Sequence, residues 1–176
     1  QGSMGFLLGT ALSNRMQRDG IEKPVVTLLT RVVVDKDDPA FGEPTKPVGP
    51  FFSAARAKVL AREQSMVEDA GRGWRRVVAS PMPKEVVELD TVKALINAGV
   101  VVITVGGGGI PVIDKGGGEY VGTAAVIDKD YASSLLAQSI HADLFRVSTG
   151  VEKGAINVGR PDQQWLDRMT VSEARR

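Results

Sequence analysis

Val100-Val101-Val102-Ile103-Thr104-Val105-Gly106-Gly107-Gly108-Gly109-Ile110-Pro111 is an apolar, β-branched run that stops at four glycines. Such a run reads as a fully buried, parallel strand ending in a loop. Four residues without a Cβ allow positive φ and let the backbone lie against a ligand. Successive N–H groups in a loop of this kind form a concave site for anions. Further on, Ala125-Val126-Ile127-Asp128-Lys129-Asp130 sets a lysine between two aspartates where a new helix begins. A glycine cradle and a cation at a helix N-terminus together fit phosphate handling. A glycine-rich hairpin with a charged tip, and an aspartate pair that only caps a helix, fit the same residues.

Outward from this stretch, strand and helix patterns alternate. Met4, Leu8, Leu12 and Met16 fall at four-residue spacing and predict one apolar helix face, stopped at Gly20. Pro24 to Val34 reads as one long, largely buried strand. Asp35 to Pro50 carries four prolines, which forbid helix and interior strand. The prolines predict a stiff loop holding Lys46 out on an arm, with ordinary hinge chemistry on either side. A solvated connection would look the same. Ser53 is placed to cap a short helix ending near Arg62. Arg72, Trp74, Arg75 and Arg76 then sit among glycines. They predict either an anion clamp or a surface hairpin whose arginines pair with Glu68 and Asp69. Leu89 to Ala98 reads as a helix closed by Gly99, and Asp114 to Gly122 as a turn excursion.

Asp128 or Asp130 caps a helix with Leu135, Leu136 and Ile140 on its apolar side. Leu144 to Val147 reads as another buried strand, running into Ser148-Thr149-Gly150. Thr170-Val171-Ser172-Glu173 is a capping box. Alternating strands and helices predict a parallel α/β sheet, with ligands at the carboxyl ends of its strands. Gly106–Gly109 and Ser148–Gly150 both fall at such ends in this scheme.

Composition narrows the function classes. The chain has 176 residues, 43% hydrophobic and 24% charged, which fits one globular domain with a sizeable core. A formal net charge of +1 gives no bulk electrostatic case for nucleic acid or an anionic membrane. Cysteine is absent, so disulfides and thiolate metal sites are excluded, and a cytoplasmic location is the expectation. No apolar run reaches the length of a membrane span, and no signal peptide is expected. The lone His141 has no triad or metal partner near it in sequence and reads as structural.

Taken together, Pro44-Thr45-Lys46-Pro47-Val48-Gly49-Pro50-Phe51, Glu68-Asp69-Ala70-Gly71-Arg72-Gly73-Trp74-Arg75, Gly106-Gly107-Gly108-Gly109-Ile110-Pro111-Val112 and Ala125-Val126-Ile127-Asp128-Lys129-Asp130 resemble the signature blocks of the carbamate kinases, within the amino-acid kinase family. Ser148-Thr149-Gly150-Val151 and Ile156-Asn157-Val158-Gly159-Arg160-Pro161-Asp162 resemble that family's nucleotide-side region. The blocks stand in family order over nearly the whole chain.

The resemblance implies reversible phosphoryl transfer between ATP and carbamate, run in cells mainly from carbamoyl phosphate and MgADP toward ATP. It implies a three-layer α/β/α sandwich with a mainly parallel sheet, a protruding subdomain at about residues 36–85, and a homodimer. By position, Lys129 and Lys46 would be the catalytic lysines, and Asp128 and Asp130 would orient lysines and the metal-bound nucleotide. Gly106, Gly107, Gly108, Gly109 and Arg72 would hold substrate and phosphate. Ser148, Thr149, Gly150, Val151, Ile156 and Asn157 would bind nucleotide. Magnesium would arrive with the nucleotide, with no metal site on the protein itself. The family pattern also has a Gly-Gly-Asn loop, a Gly-Asn-Gly-Pro loop, a Pro-Gly-Ser-Met segment and a further lysine that this chain lacks. A chain covering the middle of such an enzyme is therefore expected. A related kinase acting on another carboxylate, and a non-catalytic nucleotide-binding or dimerising remnant, are the alternatives.

Overall fold

A computed structural model describes residues 1–69 and 71–175. They form two compact units, Gln1–Phe145 and the segment from Arg146 onward.

The first unit opens with α1 (Gly2–Arg18). Its end is a Schellman closure: Gly20 takes φ +70°, its N–H reaches Gln17 O, and the Ile21 N–H reaches Met16 O at 2.9 Å. The expected Met/Leu face is only partly buried. Met16 is in the core, but Met4 and Leu8 are more than half exposed. The side of α1 that meets the sheet carries glycine instead. The Thr27 hydroxyl donates to Gly5 O at 2.9 Å, and a Cβ on Gly5 would overlap the Thr27 methyl. Helix and strand backbones approach this closely only because nothing larger than hydrogen stands between them.

The expected long strand is in fact two, β1 (Val25–Thr27) and β2 (Arg31–Val34), in different sheets. Leu28, Leu29 and Thr30 leave the strand so that the chain can change sheets. The next stretch contains a 3₁₀ turn, Pro39–Phe41, capped by the Asp38 carboxylate. It is followed by β3 (Lys46–Phe52), α2 (Ala54–Leu60), β4 (Met66–Glu68) and β5 (Trp74–Val78). Ser53 caps α2 as expected, its hydroxyl accepting the Arg56 N–H. Strands β3, β5 and β4 make a separate three-stranded sheet in that order. The prolines at 47 and 50 are compatible with strand because β3 lies at the edge of its sheet.

Next come β6 (Pro83–Val86), α3 (Leu89–Asn97), β7 (Val101–Ile103), β8 (Ile110–Gly116), β9 (Glu119–Gly122) and α4 (Lys129–Ser139). Strands β1 and β7 pair in parallel, Val26 opposite Val102. The main sheet runs β6-β2-β8-β9. Its β2–β8 pair is parallel, whereas β2–β6 and β8–β9 are antiparallel. The class is α/β with mixed rather than uniformly parallel pairing, and β7 is half-buried rather than fully buried. Val32, Val34, Val86, Val105, Ile127 and Ala132 form the core, with Leu135 and Leu136 of α4 packed on it.

The second unit has a hairpin of β10 (Gly154–Ile156) and β11 (Gln164–Leu166), and then α5 (Val171–Ala174). The Thr170–Glu173 capping box is present in full. Leu144 to Val147 is not a strand: it is irregular, and Leu144 is 73% exposed. Among the described residues no strand pairs with it, so its backbone groups have no ladder to join. No helix of the described residues is long and apolar enough to cross a membrane.

Candidate active site at the glycine turn and the start of α4

The site begins where β7 ends. Beyond Ile103 the chain enters a tight turn over Gly106–Gly108, opened by Val105 at φ +55°. A β-branched residue in the left-handed region is a true outlier, and Val105 is buried. The Gly108 N–H returns to Val105 O at 2.9 Å.

The four glycines divide by role. A Cβ on Gly108 would overlap the Ile127 carbonyl oxygen, and one on Gly109 would overlap a Val32 methyl. Those two glycines seat the loop on the lead-in to α4 and on β2. Gly106 and Gly107 face open space.

One residue after the Ile127 contact, Asp128 caps α4. Its Oδ1 accepts the Asp130 N–H at 2.8 Å, the usual use of aspartate at a helix start. Its Oδ2 accepts from Lys46 Nζ at 2.7 Å. The Lys46 partner lies on the other sheet: Lys46 is the first residue of β3, opposite Val78. The expected hinged arm is therefore an anchored strand end, because the backbone that carries Lys46 is committed to a ladder. Lys129, the first residue of α4, places Nζ 3.1 Å from Asp130 Oδ1 and is largely exposed. Two lysines and two aspartates thus meet at one helix start, next to the glycine turn.

The Lys46 ammonium holds the Asp128 carboxyl below the usual aspartate range; backbone N–H bonds help, and partial burial opposes. A depressed folded-state pKa stabilises the fold above the unfolded value, near 4. That contribution is lost as pH falls through the depressed value. Asp128→Asn keeps the cap but loses the charge. It should lower stability by about 1 kcal/mol at neutral pH, the scale of a partly exposed pair. The gap to the parent should narrow as pH falls from the unfolded value through the depressed one. Thermal unfolding of both proteins across pH 2.5–7 checks this; a gap that does not change with pH would refute it.

Arg72 is placed elsewhere. Its guanidinium pairs with Asp69 at 3.0 Å and lies 5.1 Å from the Phe51 ring centre. Arg75 shares both partners. Arg72 and Arg75 thus have the aspartate pairing of the surface-hairpin alternative, and the Asp69 carboxyl is held low by Arg75 first and then by Arg72. Among the described residues no hydrogen bond or ion pair joins Arg72 to the glycine turn or to Asp128. In the second unit, Ser148, Thr149, Gly150, Val151, Ile156 and Asn157 are all exposed. Asn157 takes φ +54° and donates to Asp162 Oδ2 at 2.7 Å within its own turn. Among the described residues no group of three or more His, Cys, Asp or Glu side chains is placed to hold a metal ion.

One residue of the site escapes a sequence-level search. Thr30 is fully buried, and its Oγ1 accepts the Val105 N–H at 2.8 Å. Its only signal is a polar residue inside an apolar run.

Known proteins resemble this chain over all or nearly all of its length. The chain is 51% identical to a carbamate kinase of Thermococcus kodakarensis, over all of this chain and 56% of that protein. It is 54% identical to the carbamate kinase-like protein YqeA of Escherichia coli, over all of this chain and 57% of that protein. A solved carbamate kinase from Giardia lamblia bound to AMP-PNP superposes with a TM-score of 0.77 at 41% identity, covering 94% of this chain and 53% of that one. The chain thus spans somewhat over half the length of these relatives. The amino acid kinase family model matches residues 10–176, and the chain belongs to that family.

Proposed function

We propose that the full-length protein is a carbamate kinase, moving a phosphoryl group between carbamoyl phosphate and MgADP to form MgATP, and the reverse. The observation that carries this is the helix start where Lys46 meets Asp128 and Lys129 meets Asp130, one residue from the backbone on which Gly108 is seated. Phosphoryl transfer asks a protein for in-line positioning and for charge neutralisation around the transferring group, with little proton chemistry. Two ammonium groups and the open N–H groups of a glycine turn supply that kind of neutralisation. The absence of histidine from the site is then no obstacle.

In this reading Lys129 and Lys46 act on the phosphoryl oxygens. Asp128 holds Lys46 and the helix start, and Asp130 holds Lys129. Gly106 and Gly107 leave room for the phosphate, while Gly108 and Gly109 set the height of the turn. Magnesium enters on the nucleotide as part of the substrate. Nucleotide binding at Ser148–Val151, Ile156 and Asn157, and an acceptor role for Arg72, belong to the same proposal, resting on resemblance. So does a homodimer, for which Met4, Phe6 and Leu7 supply exposed apolar surface on α1.

A coupled assay of ATP formation from carbamoyl phosphate and MgADP tests the proposal. The full-length protein should turn over, and acetylglutamate should not replace carbamate in the reverse direction. Turnover with another carboxylate but not with carbamate would assign a different acceptor. No turnover with either, in a folded protein that binds MgADP, would leave a nucleotide-binding role alone.

A further inference from the structure

The glycine turn is flanked by two residues, Val105 before it and Ile110 after it, and the backbone N–H groups of both end on one buried residue. Thr30 Oγ1 accepts from Val105 N at 2.8 Å, and Thr30 O accepts from Ile110 N at 2.8 Å. The Thr104 hydroxyl adds a contact to Thr30 Oγ1 at 3.3 Å, and Thr30 N donates to Gln1 Oε1 at 3.0 Å. Thr30 has no exposed surface. It sits in the break between β1 and β2, where its carbonyl accepts the first bond of the parallel β2–β8 ladder and its hydroxyl is left to serve the Val105 end of the turn.

We propose that Thr30 is the positioning residue of the glycine turn. It grips both ends and holds Val105 in a conformation that valine does not favour. A valine at φ +55° persists only where the surroundings over-determine it. The surroundings here are a hydroxyl that satisfies a buried N–H and a packed apolar side chain. If the hydroxyl goes, the Val105 N–H is buried without a partner, which penalises the left-handed conformation directly. Val105 then relaxes toward negative φ. The peptide planes of Gly106 and Gly107 rotate with it, which changes where their N–H groups point. Thr30 touches no reacting atom in this scheme; it acts through the aim of the turn.

Nearby alternatives do not explain the geometry as well. The Ile110 bond is a backbone ladder bond that any residue at this position would make, so the part special to threonine is the hydroxyl that accepts the Val105 N–H. A packing role alone would be met by valine, which has the same shape. Threonine is thus used where its isostere would fill the space but leave the turn unheld.

Three variants test this in the full-length protein. The kinetic part rests on the carbamate kinase proposal; the exchange part does not. Thr30→Val should raise amide hydrogen exchange at residues 105–110 at least tenfold, with protection of β2 and α4 kept. If the parent turns over, Thr30→Val should lower kcat at least tenfold with a smaller change in KM for MgADP. Thr30→Ser keeps the hydroxyl and should stay within about threefold of the parent in both readouts. The decisive variant is Thr30→Val with Val105→Gly. Glycine takes positive φ without being held, so kcat should recover at least threefold over Thr30→Val even though a buried side chain has been lost. A residue that only supports the fold would give the opposite sign, a further loss. Parental exchange and kcat in Thr30→Val would overturn the proposal, as would a double variant no better than the single one. If Thr30→Val does not fold, Thr30→Ser decides: a tenfold rise in exchange at 105–110 would refute the hydroxyl's role. A parent without turnover would sink the functional assignment while leaving the exchange result to judge Thr30.

Discussion

Lys129→Ala in the full-length protein is expected to lower kcat about a hundredfold or more while shifting the melting temperature by no more than about 4 °C. The first half of this expectation follows from what the side chain can do. Lys129 is the first residue of α4, beside the glycine turn, with its ammonium 3.1 Å from Asp130 and otherwise open to solvent. A preorganised donor aimed at developing charge contributes on the order of a hundredfold or more in rate. The second half follows from exposure. With both side chains more than half exposed, the Lys129–Asp130 pair adds at most about 1 kcal/mol to the fold. Lys46 is less suitable for this test, because its ion pair with Asp128 ties β3 to α4 and its removal mixes stability with rate. Steady-state kinetics with carbamoyl phosphate and MgADP, beside a melting curve, decide the matter. A Lys129→Ala protein with kcat within about twofold of the parent would mean that the lysine is only a solvated helix-start charge.

Gly108→Ala should destabilise the first unit by about 3 kcal/mol or more, against about 1 kcal/mol for Gly117→Ala. Both glycines have positive φ, +103° at Gly108 and +64° at Gly117, so both variants meet the left-handed penalty of roughly 1–2 kcal/mol. Only Gly108 also meets a wall. Its new methyl would overlap the Ile127 carbonyl oxygen, while the turn between β8 and β9 has open space around Gly117. Overpacking of this kind adds about 1–3 kcal/mol. Ile127 is fully buried and directly precedes Asp128, so a shift there also moves the cap of α4 and the acceptor of Lys46. Denaturant midpoints of the two variants make the comparison. Equal losses would mean that the tetraglycine is an ordinary turn whose contact with Ile127 carries no weight.

Much of this was legible in residue order because it depends on neighbours in sequence. The end of α1 at Gly20 and that of α3 at Gly99, the Ser53 cap, the Asp128 cap and the Thr170–Glu173 box are all decided within one turn of helix. The glycine turn after β7 belongs to the same class, since positive φ at Gly107, Gly108 and Gly109 is a local demand that glycine meets freely. So does the family resemblance, which rests on short blocks in order.

Tertiary structure decided what depends on partners far along the chain. Residues 24–34 have the composition of one strand, yet they become two, because β1 pairs with β7 and β2 with β6 and β8. The proline-rich stretch becomes an edge strand because β5 offers a ladder on one side only. Leu144–Val147 has strand composition and, among the described residues, no ladder. Arg72 could serve an anion or an aspartate, and the hairpin geometry gives it Asp69 and Phe51. Lys46 and Asp128 are 82 residues apart, and nothing local announces that one carboxylate will both cap a helix and hold that lysine. Thr30 is the extreme case. One of two threonines in an apolar run, it acquires its role only when the pairing of β1 with β7 and β2 with β8 brings the Val105 N–H to its hydroxyl and the Ile110 N–H to its carbonyl, because a buried N–H must be satisfied by whatever the fold places beside it.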